Sequence, residues 1–199
     1  MHAEGHDLLQ AAHRGDIAAV SAAIRAGAPL EVTDDHRRTP LLLVALADRV
    51  DVARALVAAG ADPNAQDDRR DSAWLVTGVT GSVAMMRTLL PAGPDLKRTN
   101  RFGGIALIPA CERGHTAYVR AVLRETEMDV DHVNRLGWTA LLEAVILGDG
   151  GSAYEEIVGL LLAAGATPGL PDGEGRTPLE HAEHRGFSSL AALLREAGG

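Results

Sequence analysis

Residues 38–64 read Arg38-Thr-Pro-Leu-Leu-Leu-Val-Ala-Leu-Ala-Asp-Arg-Val-Asp-Val-Ala-Arg-Ala-Leu-Val-Ala-Ala-Gly-Ala-Asp-Pro-Asn64. Two short apolar patterns are joined by a polar turn and closed by Gly-Ala-Asp. The stretch matches itself along the chain. With the Thr-Pro position as ruler, copies start at Thr39-Pro40, Ser72-Ala73, Ile105-Ala106, Thr139-Ala140 and Thr177-Pro178, in steps of 33, 33, 34 and 38 residues. A turn position follows nine residues after each start, at Asp48, Gly81, Gly114, Gly148 and Gly186. Second apolar segments end in Leu56-Val57, Leu89-Leu90, Val122-Leu123, Leu161-Leu162 and Leu193-Leu194. Leu8 to Ala28 repeats only the two-helix part. A period of this length predicts stacked helix-turn-helix units.

The residues explain one unit. Thr39 and Thr177 suit the cap of a first helix, and Pro40 and Pro178 its first position, where no N–H partner is lost. Thr177-Pro-Leu-Glu180 has the spacing of a capping box. Each helix spans about two to three turns, too short to hold in water alone. Stability must therefore come from stacking Leu, Val and Ala faces on the next unit. Gly60, Gly93 and Gly165 close the second helices, where a positive φ is wanted.

These marks resemble the ankyrin-repeat family, with its Thr-Pro-Leu-His-x-Ala-Ala, Gly-His and Leu-Leu-x-x-Gly-Ala-Asp signatures. The resemblance covers nearly the whole chain. It implies an all-α ankyrin-repeat solenoid of about six stacked units with finger loops and atypical capping ends. The chain is read as a single domain, residues 1–199, with units near 5–31, 32–64, 65–97, 98–131, 132–169 and 170–199. Departures are informative. Leu42, Leu75, Ile108, Leu142 and Glu180 stand where the family has His. One extra residue lies near Glu125 to Asp131, and five lie in Gly148 to Tyr154. Arg98 to Ala110 and Asn134 to Gly151 are similar to a group of small, free-standing bacterial ankyrin proteins, a resemblance that implies a bacterial soluble protein.

Composition narrows the function. The chain is 46% hydrophobic with only 3% aromatics, so Ala, Leu and Val build the core. A net charge of −8 argues against general nucleic-acid binding. Cys111 is the one cysteine, which excludes an internal disulfide and favours a reducing cytoplasm. Met1 to Asp7 lacks the basic and apolar regions of a signal peptide. No apolar run approaches the ~20 residues of a membrane span.

In ankyrin folds the fingers and inner helices line a groove that binds other proteins. Carried over by register, this implies a partner-binding set of Arg38, Arg69, Asp71, Arg101, Phe102, Pro109, Glu112, Arg113, Arg135, Trp138, Glu143 and Ile146. Phe102 and Trp138 supply aromatic anchors of the kind hot spots favour. Arginine recurs at the fingers, where a stripe would meet carboxylates or phosphate bidentately unless the neighbouring aspartates neutralise it. If the register is off by one, the apolar inner-helix residues pack between repeats instead. Pro109, expected about four residues into a helix, should remove a backbone bond. With Gly103-Gly104 before it, it predicts a widened groove near Phe102, Trp138 and Glu143.

Catalytic and metal signals are weak. His181 and His184 lack the remaining ligands of a metal motif, and Cys111 and Trp74 occupy core positions. No catalytic residue, metal or cofactor is expected. The leading expectation is a monomeric, non-enzymatic module that binds another protein. A small-molecule binder or atypical enzyme at Phe102, Trp138 and Glu143 is the alternative, and a structural homo-oligomer a third.

Overall fold

The computed structural model describes residues 3–199, so the first two residues of the stretch read for a signal peptide lie outside it. No strand occurs among the described residues. The backbone groups into two compact halves, Met1–Arg101 and Phe102–Gly199. The first half holds α1 (Ala3–Arg14), α2 (Ile17–Arg25), α3 (Pro40–Leu46), α4 (Val50–Ala58), α5 (Ala73–Thr80) and α6 (Val83–Leu89), the last followed by a 3-10 turn at Leu90–Ala92. The second holds α7 (Leu107–Glu112), α8 (Thr116–Glu125), α9 (Ala140–Leu147), α10 (Ser152–Ala163), α11 (Pro178–His184) and α12 (Ser188–Glu196).

Each half is two helical layers. In the first, α1, α3 and α5 pack in sequence as the inner layer and α2, α4 and α6 as the outer. In the second, the inner layer is α7, α9 and α11 and the outer is α8, α10 and α12. Leu41, Leu42, Val44, Leu56, Trp74 and Met85 fill the first core; Leu107, Tyr118, Leu141, Leu142, Ile157 and Leu161 fill the second. Trp74 is fully buried, as its position at the motif leucine predicts. Cys111 is buried too, and burial pushes its thiol far above the range of a reactive cysteine.

Caps set the inner helices. Thr39, Ser72, Thr139 and Thr177 each accept from the backbone N–H three residues on, and Glu180 returns a bond to the Thr177 N–H at 2.8 Å, completing the capping box. The fourth repeat has Ile105 at the cap position. Its helix starts late, at Leu107, without a side-chain cap. Pro109 is therefore the third residue of α7, among the first four whose N–H groups have no intrahelical acceptor. The expected loss of a backbone bond at Pro109 does not occur.

Adjacent repeats are pinned by polar side chains at the end of each unit. Glu31 accepts from the Asp62 N–H at 2.9 Å, Asn64 from the Asp95 N–H at 2.7 Å, and Asp131 from the Thr167 N–H at 2.9 Å. The five-residue insertion is also built in. The turn position elsewhere is left-handed, but Gly148 is extended at φ −67°, and Gly150 takes the positive φ instead. A Cβ on Gly150 would stand 2.4 Å from the Phe187 ring. The Tyr154 hydroxyl donates to the Glu112 carbonyl at 2.9 Å, fastening the start of α10 to the preceding repeat.

Candidate functional site

Four of the fingers turn around one short polar side chain. One oxygen of Asp34 accepts from the N–H groups of His36 and Arg38, both at 2.9 Å. Asp67 does the same for Arg69 and Asp71, Asn134 for Leu136 and Trp138, and Asp172 for Glu174 and Arg176. This residue stands five before the ruler position every time. The sequence reading takes Asp34 and Asp67 as charges that neutralise the arginine stripe, whereas both hold the backbone of their own turns. Asp67 and Asn134 are in fact buried.

The second atom of that side chain separates the halves. In the first, the free oxygen of Asp34 turns sideways to the Arg38 guanidinium, 2.7 Å away. In the second it reaches inward. The Asn134 amide donates to Glu143 on α9 at 2.8 Å, and Asp172 meets the His181 ring on α11 at 2.7 Å. Glu143 and His181 share one register position, four residues past the ruler. The residues there in the first half are Leu43 and Val76, both buried and apolar. Sequence reading does not find the His181–Asp172 pair, because nothing in the spacing of a histidine in the terminal repeat assigns it to one acid. No cluster that could hold a metal ion occurs among the described residues.

Burial alters the chemistry of Glu143. It is 5% exposed, and desolvation with the charge of Glu112 raises its carboxyl from 4.5 to about 7, against the lowering effect of Asn134. Asp71 is half-buried, and its carboxyl is likewise raised by burial.

The implied partner-binding residues divide by exposure. Arg69, Arg101, Phe102, Arg113 and Arg135 are exposed; Arg38, Asp71, Glu112, Trp138 and Ile146 are partly exposed. Pro109 and Glu143 are buried. Both are packed into the inner layer and do not line the expected widened groove. Exposure begins three residues further on. Phe102 is 53% exposed, Leu136 57% and Leu147 48%. A cavity of about 310 Å³ opens between the last two fingers, walled by Leu136, Trp138, Ile146, Asp172, Gly173, Glu174 and His181. No helix of the described residues is long and apolar enough to cross a membrane.

Comparison with known proteins agrees with this architecture. A family model described as three copies of ankyrin repeats matches residues 75–172, and a single-repeat model matches 36–68. Ankyrin repeat protein YahD of Escherichia coli (strain K12) is 43% identical over 96% of both chains. The crystal structure of an ankyrin repeat domain from Acinetobacter baumannii AYE superimposes with a TM-score of 0.92 at 46% identity, covering 96% of this chain and 97% of that one. The ankyrin repeat protein EF0377 gives 0.94 at 34% identity, with coverage of 98% and 99%. With the register, caps and finger turns described above, these matches place the chain in the ankyrin-repeat family.

Proposed function

We propose that the protein binds a partner protein through its fingers and the exposed ends of its inner helices, as a non-enzymatic module. Ankyrin repeats are generally protein-interaction modules. The observation that carries the reading here is apolar exposure in the second half. Phe102, Leu136 and Leu147 are about half exposed, with Trp138 and Ile146 partly so, on a surface that also presents Glu112, Arg113 and Arg135. Aromatic and aliphatic anchors within a polar rim have the anatomy of a protein interface. In the first half, Arg38, Arg69, Asp71 and Arg101 supply polar contacts that orient a partner. Affinity capture from the native host tests this, with wild type against Phe102→Ala and Trp138→Ala. Both variants should fold and lose the captured partner. An unchanged captured set with the fold intact would overturn the reading.

A second reading, a small-molecule site, is favoured by the cavity beside Trp138, whose volume lies at the small end of ligand pockets. Shifts of the Trp138 indole resonance on metabolite addition would support it.

A further inference from the structure

We propose that the finger tips of the first half hold an acidic segment of the partner protein, gripped by Arg37, Arg69 and Arg70. This rests on the protein-binding reading and specifies the partner's chemistry. Aligned on the ruler, the tips read His36-Arg37, Arg69-Arg70, Phe102-Gly103, Leu136-Gly137 and Glu174-Gly175. The second tip residue always has a positive φ: 60° at Arg37, 61° at Arg70, and 75°, 79° and 84° at the three glycines. Glycine meets that demand without strain, whereas a side chain is disfavoured there. Crowding explains two of the glycines, since a Cβ would stand 2.8 Å from Arg135 at Gly103 and 3.0 Å from the Gly173 nitrogen at Gly137. At Gly175 nothing lies within 4 Å, so glycine there answers the backbone alone. The first half twice keeps a strained arginine at this position, and a residue held in strain at an exposed tip points to use.

Most of the local acids are engaged elsewhere, which leaves Arg37 and Arg70 available, while Arg69 also faces Asp71. Asp34 is engaged by Arg38 and two backbone N–H groups. Asp67 is 6% exposed and turned into its own loop. Asp71 is half-buried beside Arg69 and Arg101. Asp35 and Asp68, exposed at the foot of each tip, are the counter-charges that remain. Arg37 and Arg70 are exposed and form no ion pair among the described residues. The Asp68 N–H donates to the His36 carbonyl at 3.2 Å, tying one tip to the next. Guanidinium groups on linked tips suit successive carboxylates of an extended acidic segment, each taken bidentately. Asp35 and Asp68, exposed beside the arginines, suit discrete carboxylates better than the dense, continuous charge of a phosphate backbone.

The test uses the full chain, a fluorescent hexaglutamate peptide and an oligothymidylate as the competing polyanion. Arg37→Gly/Arg70→Gly relieves the strained backbone, so loss of folding is not the expected result, and its melting temperature is measured alongside. The wild type should bind the peptide in a salt-sensitive way. The double variant should bind about tenfold more weakly while melting no lower. Phe102→Ala should keep the peptide affinity, which separates this site from the apolar surface of the second half. Equal peptide affinity in wild type and double variant, or no peptide binding by the wild type, would overturn the proposal. So would tighter binding of the oligothymidylate than of the peptide. None of these results changes the capture experiment with Phe102→Ala and Trp138→Ala, on which the broader reading stands or falls.

Discussion

The fingers of the two halves use the same turn and spend its side chain differently. In the first half, Asp34 ties itself to Arg38 within its own finger, and the inner helices beneath carry Leu43 and Val76. In the second, Asn134 and Asp172 reach down to Glu143 and His181 on the inner layer. The register position below the finger decides this. An apolar residue there needs no partner, so the aspartate serves only its own finger. A polar residue there is removed from water and must be satisfied. The first half thus keeps its finger chemistry within each finger, and the second couples finger to core.

That coupling gives the largest expected difference. Asn134→Ala removes two bonds that shape the finger and also leaves the buried Glu143 carboxylate without its amide. It should destabilise the fold by ~3 kcal/mol. Asp67→Ala removes the same two turn bonds in the first half and strips no core group of a partner. Its cost should be nearer ~1–2 kcal/mol. Urea unfolding of both variants measures the contrast. Equal losses would mean that the inward bond contributes nothing.

The next effect concerns pH and belongs to the second half alone. Burial holds the Glu143 carboxyl at about 7, above its ordinary 4.5. The folded state therefore binds the proton more tightly than the unfolded chain. This contribution to stability is fully present below the unfolded value and is lost as pH rises through about 7. The loss should reach ~2 kcal/mol. Glu143→Gln keeps an acceptor for Asn134 and should flatten the profile, leaving the variant the more stable protein at pH above 7. Leu43 and Val76 do not titrate, so no equivalent arises at those positions. A wild-type profile as flat as that of Glu143→Gln would show that the carboxylate is solvated after all.

Much of this fold was legible from the ruler. The period, the caps at Thr39 and Thr177, the capping box to Glu180 and the burial of Trp74 and Cys111 all follow from local rules that each residue obeys with its immediate neighbours. Pro109 shows how much a cap decides: without one at Ile105 the helix starts one residue late, and that single residue makes the proline harmless. Glu143 was read as groove for a different reason. Whether an inner-helix position faces a neighbour or solvent depends on the angle at which repeats stack, which no periodicity within one repeat reports. The pairing of Asp172 with His181 lies nine residues apart across a turn, and composition alone does not choose among the acids near a histidine.

The smallest effect concerns the finger tips, where the signs should oppose. Gly137 sits at φ 79° with the Gly173 nitrogen 3.0 Å from where a Cβ would lie. Gly137→Ala adds both backbone strain and a close contact with main chain, and should cost ~1–2 kcal/mol. Arg70 occupies the same turn position at φ 61° with its side chain exposed. Arg70→Gly removes strain in the folded chain but adds freedom to the unfolded one, and these partly cancel. The net should be a gain of ~0.5 kcal/mol, resolved by paired melts of wild type and variant. A loss on Arg70→Gly would mean that the arginine packs favourably in its own finger. It would then be held there by the fold, and the contrast between basic and glycine tips would describe packing, with no partner needed to explain it.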